Sequence, residues 1–260
     1  MTDTSATALR VVAAEAARAA GDLLRARFLA GGERATGSKS TPTDLVSEAD
    51  VAAETAIREL LAARRPGDAI LGEEGGETQE GEGLRWIVDP LDGTVNFLFG
   101  VPQWCVSVAV HDDEGGLAGV VFDPLRDEIF TAERGGEAML NGSPITASTS
   151  EDLATSLVGT GFAYDSDVRA GQAAVLARVL PRVRDVRRMG SAALDLAWTG
   201  AGRFDAFYER GVQIWDTAAG TVVCEAAGLV VRELPATAEL PSGVVVAPAG
   251  LIDELRGLVG

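Results

Sequence analysis

Acidic side chains stand where short apolar runs of this chain end. Glu73 follows Ala69-Ile70-Leu71-Gly72, the pair Asp89 and Asp92 closes Trp86-Ile87-Val88, and Asp216 follows Trp215. Asp50 and Glu209 are two further candidates. Acids just past a strand end are presented at a sheet edge or a helix start, where sites form. Two carboxylates ~4 Å apart repel by about 4 kcal/mol at an effective dielectric near 20, so a close group of them needs protons or cations. Oxygen donors without His or Cys favour Mg²⁺, Mn²⁺ or Ca²⁺ over zinc.

The densest piece is Asp89-Pro90-Leu91-Asp92-Gly93-Thr94. Pro90 restricts one φ angle and Gly93 permits a sharp bend, so both carboxylates and the Leu91 carbonyl can face one point. Gly93 and Thr94 can offer backbone N–H groups to a phosphate if a helix starts there. The same residues also read as an ordinary Asp-Pro…Asp-Gly turn. Taken alone, Asp216 reads as a helix N-cap and Glu73 as a solvated loop acid. Their force lies in combination.

Other chemistries are excluded by what the chain lacks. His111 is the single histidine, so an HExxH zinc site cannot be built, and a Ser-His-Asp triad would depend on that one residue. His111 ends an alternating run beside a turn, which suits a surface or capping role. Cys105 and Cys224 have no CxxC spacing and no arginine six residues on, which removes a structural zinc site and the cysteine-phosphatase loop. Two buried free thiols are expected. No GxxxxGK[ST] phosphate loop occurs. The net charge of −17 argues against nucleic-acid binding and poses a problem for any anionic substrate unless cations mediate. Lys39 is the only lysine. No apolar run approaches the ~20 residues of a membrane span, and the first residues do not read as a signal peptide, so a cytoplasmic protein without membrane partners is expected.

Elements must position these acids. Residues 5–30 read as an amphipathic helix stopped by Gly31-Gly32, and a second helix follows Ser47 and runs to Arg65 before Pro66-Gly67. Residues 75–84 are Gly- and Glu-rich and read as a mobile loop. Residues 103–133 alternate as an antiparallel meander, and Asn141-Gly142 marks a further turn. Strands are expected at Ser156–Gly161, Phe204–Glu209, Gly228–Arg232 and Gly243–Ala247. Helices are expected at 168–180, 191–201, Trp215–Ala227 and from about Gly250. The pattern is mixed α and β in one continuous unit, residues 1–260.

The combination resembles the inositol-monophosphatase superfamily of metal-dependent, lithium-sensitive phosphatases. The resemblance is carried by Trp86-Ile87-Val88-Asp89-Pro90-Leu91-Asp92-Gly93-Thr94-Val95-Asn96-Phe97 and by Trp215-Asp216-Thr217-Ala218-Ala219-Gly220. Gly72-Glu73-Glu74, Asp44-Leu45-Val46-Ser47-Glu48-Ala49-Asp50, Gly190-Ser191-Ala192 and Phe204–Gly211 also match, in the family's order. The resemblance implies a layered αβαβα sandwich, with a metal-binding part over about 1–145 and an α/β part over about 146–260, and usually a homodimer. It implies two to three Mg²⁺ ions, with Mn²⁺ a possible substitute. Glu73, Asp89 and the Leu91 carbonyl would hold the first ion, Asp89, Asp92 and Asp216 the second, and a third, weaker ion would sit near Glu73. Thr94, with Asp50 behind it, would orient and activate the attacking water. Asp92, Gly93, Thr94 and Asp216 would border the phosphate, with Gly190, Ser191 and Ala192 beside Glu209, which would accept hydrogen bonds from substrate hydroxyls. Lys39 would lie on a mobile loop that helps close the site, although a surface lysine is the plainer alternative.

The implied reaction is hydrolysis of a small phosphorylated polyol or sugar, with myo-inositol monophosphate as the leading substrate. Histidinol phosphate, fructose-1,6-bisphosphate and 3′-phosphoadenosine 5′-phosphate are alternatives within the same chemistry. A non-catalytic metal-binding protein is the alternative outside it. Val95 and Phe99 depart from residues common in the family (Thr, Ser or Lys, and His) on the leaving-group side.

Overall fold

The computed structural model describes residues 3–31, 37–38, 45–77 and 83–260. Lys39, expected beside the site, and residues 78–82, half of the expected loop at 75–84, lie outside the described residues, while Gly76–Glu77 of that stretch form a short strand rather than loop. The first half of the chain runs α1 (Ala6–Ala30), β1 (Gly37–Ser38), β2 (Leu45–Val46), α2 (Glu48–Arg64), β3 (Ala69–Gly72), β4 (Gly76–Glu77), β5 (Arg85–Asp92), α3 (Thr94–Leu98), β6 (Cys105–Asp112), β7 (Gly115–Asp123), β8 (Glu128–Glu133), β9 (Met139–Leu140) and β10 (Ser143–Pro144). The second runs β11 (Leu157–Thr160), α4 (Ser166–Val179), β12 (Asp185–Arg187), α5 (Ala192–Gly200), β13 (Ala206–Arg210), α6 (Ile214–Ala226), β14 (Val230–Leu234), β15 (Gly243–Ala247) and α7 (Ile252–Val259).

Two larger sheets result, of order β10-β9-β8-β7-β6-β5-β3-β4 and β12-β11-β13-β15-β14. In the first, all neighbours are antiparallel except β3 and β5. Period-two alternation sends successive side chains to opposite faces, and both faces of both sheets are apolar. Val106, Val108 and Val110 of β6 pack under α1 and α2, while Cys105 and Ala109 turn to α5 and α6. In the second sheet Phe207, Val244 and Val246 face α5 and α6, while Tyr208, Val245 and Ala247 face α4 and α7. The layers are therefore helix pair, sheet, helix pair, sheet, helix pair, the αβαβα sandwich that the resemblance implied.

Most expected elements are present with ends moved by one or two residues. Strand β12 was not anticipated. It is a three-residue edge strand, Asp185-Val186-Arg187, too short and too charged to show alternation. His111 lies one residue before the end of β6, close to the expected place, but it is half-buried rather than on the surface. Its Nε2 is buried and has no partner among the described residues. Burial, then Arg134 and Arg85, hold its pKa below the usual 6.5. Cys105 and Cys224 are free and buried. Among the described residues no helix is long and apolar enough to cross a membrane.

The middle helix pair sits unusually close to the first sheet. A Cβ on Gly119 of β7 would lie 2.5 Å from the Ala219 carbonyl of α6, and backbone cannot yield as a flexible side chain can. Gly119→Ala should therefore destabilise the fold by about 1–3 kcal/mol, read as a lower denaturation midpoint. An unchanged midpoint would mean that α6 is free to shift.

Candidate active site

Helix α2 begins with a reciprocal cap. Ser47 Oγ accepts from Ala49 N and Asp50 N at 3.1 and 3.4 Å, and Asp50 Oδ2 accepts from Ser47 N at 2.9 Å and Ser47 Oγ at 2.5 Å. Asp50 is fully buried. Its other oxygen accepts from Thr94 Oγ1 at 2.8 Å. The Thr94 hydroxyl also lies 3.1 Å from the Leu91 carbonyl. A hydroxyl whose proton is committed to an acceptor keeps lone pairs to accept a hydrogen bond from a water.

Strand register brings the acids together. β3 and β5 are parallel with Gly72 opposite Val88, so Glu73 and Asp89 emerge side by side at the same sheet edge, and Glu73 N donates to the Val88 carbonyl at 3.3 Å. Asp89 and Asp92 are three apart, and a regular strand would point them to opposite faces. The pairing with β6 shifts by one residue between them, a bulge that returns Asp92 to the Asp89 side. Pro90, which cannot donate to a ladder, sits at that irregularity. Asp216 arrives from across the seam in the first turn of α6. It is the third helical residue rather than the N-cap, and its Oδ2 accepts from Gln213 N at 2.6 Å. One carboxylate oxygen from each of Asp89, Asp92 and Asp216 lies within 4.8 Å of the others.

Each acid of this trio also spends an oxygen on a protein donor. Leu91 N donates to Asp89 Oδ1 at 3.0 Å. Ser191 Oγ and Ala193 N, at the start of α5, donate to Asp92 Oδ2 at 2.6 and 2.7 Å. Asp89 also shares a carboxyl hydrogen bond with Glu73, and burial followed by repulsion from Glu73, Asp92 and Asp216 pushes its pKa well up. Burial raises Asp92 to about 6 against the pull of Ser191 and Ala193. Asp216 rises through burial and then the Asp92 charge. An all-oxygen set of mutually repelling acids, with no histidine and no cysteine ligand, is what a hard divalent cation requires, so the residues fit Mg²⁺.

These groups open on a cleft of about 720 Å³ lined by Glu73, Asp89, Leu91, Asp92, Gly93, Thr94, Gly190, Ala192, Glu209 and Asp216, with Arg188, Tyr164 and Trp215 on its walls. All the predicted site residues within the described chain thus converge, with two distinctions. Ser191 is buried and gives its hydroxyl to Asp92 rather than lining the cleft. Asp50 stands behind Thr94, outside the lining. Glu209 lies so close to the Gly161 backbone that a Cβ there would fall 2.1 Å from its Oε1. Burial and then the Asp92 charge push Glu209 up to about 8, with Arg188 opposing.

Three contributors had no signal that sequence reasoning used. Arg188 lines the cleft from just past the strand that was not anticipated. Asp195 is buried on α5, its pKa pushed well up by burial and then Glu209. Asn96 Nδ2 reaches the Gln103 and Met189 carbonyls at 2.7 and 2.9 Å, tying α3 to the loop before α5. Of these, only Asn96 stood inside a quoted motif.

Comparison with known proteins agrees with this geometry. The model of the inositol monophosphatase family matches residues 6–256. An inositol-1-monophosphatase from Mycobacterium leprae is 44% identical over 238 residues, spanning 87% of this chain and 81% of that protein. A protein named Nus factor SuhB from Pasteurella multocida is 39% identical over 241 residues, spanning 92% and 90%. Among solved structures, the extragenic suppressor protein suhB from Bartonella henselae superposes with a TM-score of 0.88 at 35% identity, covering 97% of this chain and 98% of that one.

A carboxyl whose folded pKa is raised stabilises the fold below its unfolded value and loses that contribution as pH rises through its folded value. With Asp92 moved from 3.8 to about 6 and Glu209 from 4.5 to about 8, chelator-treated protein should melt at lower temperature as pH rises from about 4 to about 8. Mg²⁺ should raise the melting temperature more at the upper end of that range. A melting temperature that is flat across the range in chelator would contradict the crowding of these acids.

Proposed function

The chain belongs to the inositol monophosphatase family, and from that premise we propose that it hydrolyses myo-inositol monophosphate to inositol and phosphate with Mg²⁺. It is a phosphoric monoester hydrolase. The observation that carries the reading is the convergence of Asp89, Asp92 and Asp216 within 4.8 Å beside the Thr94–Asp50 pair.

In this reading Glu73, Asp89 and the Leu91 carbonyl would hold one Mg²⁺, and Asp89, Asp92 and Asp216 would hold a second. A third, weaker ion would sit near Glu73, and Mn²⁺ would be able to substitute. Bound Mg²⁺ would supply the positive charge that offsets the phosphate, acidifies water and stabilises the departing alkoxide. The residues do the rest. Thr94 would accept a hydrogen bond from the attacking water and take up its proton as the Thr94 hydroxyl proton passes on to Asp50. The Gly93 and Thr94 N–H groups border the phosphate, and Gly93 reaches its φ of 99° only because it has no side chain. Glu209, facing the cleft with Gly190 and Ala192, accepts hydrogen bonds from polyol hydroxyls. Cations held by the acids also reconcile an anionic substrate with a chain of net charge −17.

Support for inositol monophosphate over its alternatives comes from Glu209 and from relatives that carry the name inositol-1-monophosphatase. The cleft walls also carry Arg188, Tyr164, Trp215 and Asp165. A cytoplasmic homodimer remains the expected setting.

Phosphate release should be measured from inositol 1-phosphate, histidinol phosphate, fructose-1,6-bisphosphate and 3′-phosphoadenosine 5′-phosphate, with and without Mg²⁺, then with Li⁺. Asp89→Asn should lower Mg²⁺-dependent release at least ~100-fold, because the residue serves both proposed ions. Near-wild-type turnover by that variant would sink the metal assignment. Glu209→Gln should shift the ratio of kcat/KM between inositol 1-phosphate and the other substrates by about 10-fold while leaving the Mg²⁺ requirement in place. An unchanged ratio would remove Glu209 from substrate selection.

A further inference from the structure

Glu54 lies one helical turn beyond Asp50 on α2, so the two side chains share a face. It is only 3% exposed. A buried carboxylate is costly unless it is paired and hydrogen-bonded, and Glu54 is fully engaged. Its Oε1 accepts from Arg58 Nε at 2.7 Å and from Gly75 N at 2.8 Å, and its Oε2 accepts from Glu74 N at 2.8 Å. The two backbone donors are consecutive residues of the turn that presents Glu73. Arg58 closes the far side, donating from Nη2 to the Gly76 carbonyl at 2.7 Å.

The glycines of that turn carry the imprint of this arrangement. A Cβ on Gly72 or on Gly75 would lie 2.6 Å from Glu54 Oε1, and 2.7 or 2.9 Å from Arg58 Nη2. The two acids of Gly72-Glu73-Glu74-Gly75 are therefore flanked by glycines because the Glu54–Arg58 pair fills the space where side chains would stand. A surface tether needs no such clearance. On its other edge the turn is fixed by β3–β5 pairing up to Gly72 and Val88.

We propose that Glu54 is a positioning residue for Glu73, holding the 73–75 turn so that Glu73 meets Asp89 at the geometry a cation needs. One helix then sets two parts of the site, since Asp50 fixes the Thr94 hydroxyl and Glu54, four residues on, fixes the turn that carries Glu73. The inference rests on the proposed role of Glu73 as a metal ligand. Partners that orient metal ligands typically control affinity by about 10- to 100-fold.

The test measures binding of Mn²⁺ alone, from the electron paramagnetic resonance signal of the free ion, alongside the Mg²⁺ concentration that half-saturates phosphate release. Glu54→Gln loses the charge and turns an amide N–H₂ toward an N–H donor. It should weaken Mn²⁺ binding and raise the Mg²⁺ requirement by about 10-fold or more, with turnover at saturating Mg²⁺ retained. Gly75→Ala sits on the exposed side of the turn and should reproduce the effect if Glu54→Gln does not fold. In a Glu73→Gln background Glu54→Gln should add nothing, because it acts through Glu73. Wild-type Mn²⁺ binding by both Glu54→Gln and Gly75→Ala, or additive losses in the double variant, would overturn the proposal while leaving the Glu73 assignment intact. Wild-type binding by Glu73→Gln itself would instead overturn that assignment, and with it the proposal.

Discussion

Mutual repulsion among carboxylates gathered at the sheet edge is the constraint to which the rest of the site answers. Glu73, Asp89, Asp92 and Asp216 come from three separate segments, and three of them repel Asp89 directly. Left to themselves they would separate or take up protons. The fold denies them the first course by giving each Asp of the trio a donor on one oxygen: the Leu91 amide, the Ser191 and Ala193 pair, and the Gln213 amide. Two of these donor sets lie at the N-terminal ends of α5 and α6, where the helix dipole favours negative charge. The oxygens left over face one point, and the free energy withheld by repulsion becomes available to whatever cation arrives.

Such a cluster can be held only by a stiff frame, and the layered packing supplies it. The α5–α6 pair is buried between two sheets, so Asp92 from the first sheet, Ser191 ahead of α5, Asp216 in α6 and Glu209 from the second sheet meet along one seam. Close approach makes that seam narrow. Gly119 admits the backbone of α6, Gly220 admits Leu196 of α5, and Gly161 admits the Glu209 carboxyl. On the opposite side α2 braces the same edge through two carboxylates on one face. Rigid helices and paired strands, rather than loops alone, thereby set the distances that the proposed chemistry requires.

The layered fold was legible in the chain because its signals are local and periodic. Ser47 ahead of Glu48–Arg64, the Val alternation of β6 and the Asn141-Gly142 turn each reflect a preference of a few adjacent residues. The site was legible in part, because Asp89-Pro90-Leu91-Asp92-Gly93-Thr94 packs two acids, a bend and a hydroxyl into one short segment. Asp50 and Glu73 were legible as candidate acids, and the resemblance supplied their roles. Glu54 was not, because an acid in mid-helix resembles any solvated helical acid until the turn it supports is folded against it. Arg188 and Asp195 were equally silent, since nothing nearby in the chain distinguishes them from a surface arginine and a first-turn helix acid.

The sequence by itself determined which residues could form helices and strands, which side chains could ligate a hard cation, and which hydrolytic chemistries were out of reach. It did so because propensity, periodicity and residue chemistry act over a few neighbouring positions. Only the tertiary structure decided that a one-residue bulge would turn Asp92 back toward Asp89, that parallel pairing would set Glu73 beside it, and that Asp216 would reach them from α6. Those outcomes depend on register and on contacts between segments separated by tens of residues to more than a hundred, and no local preference encodes them.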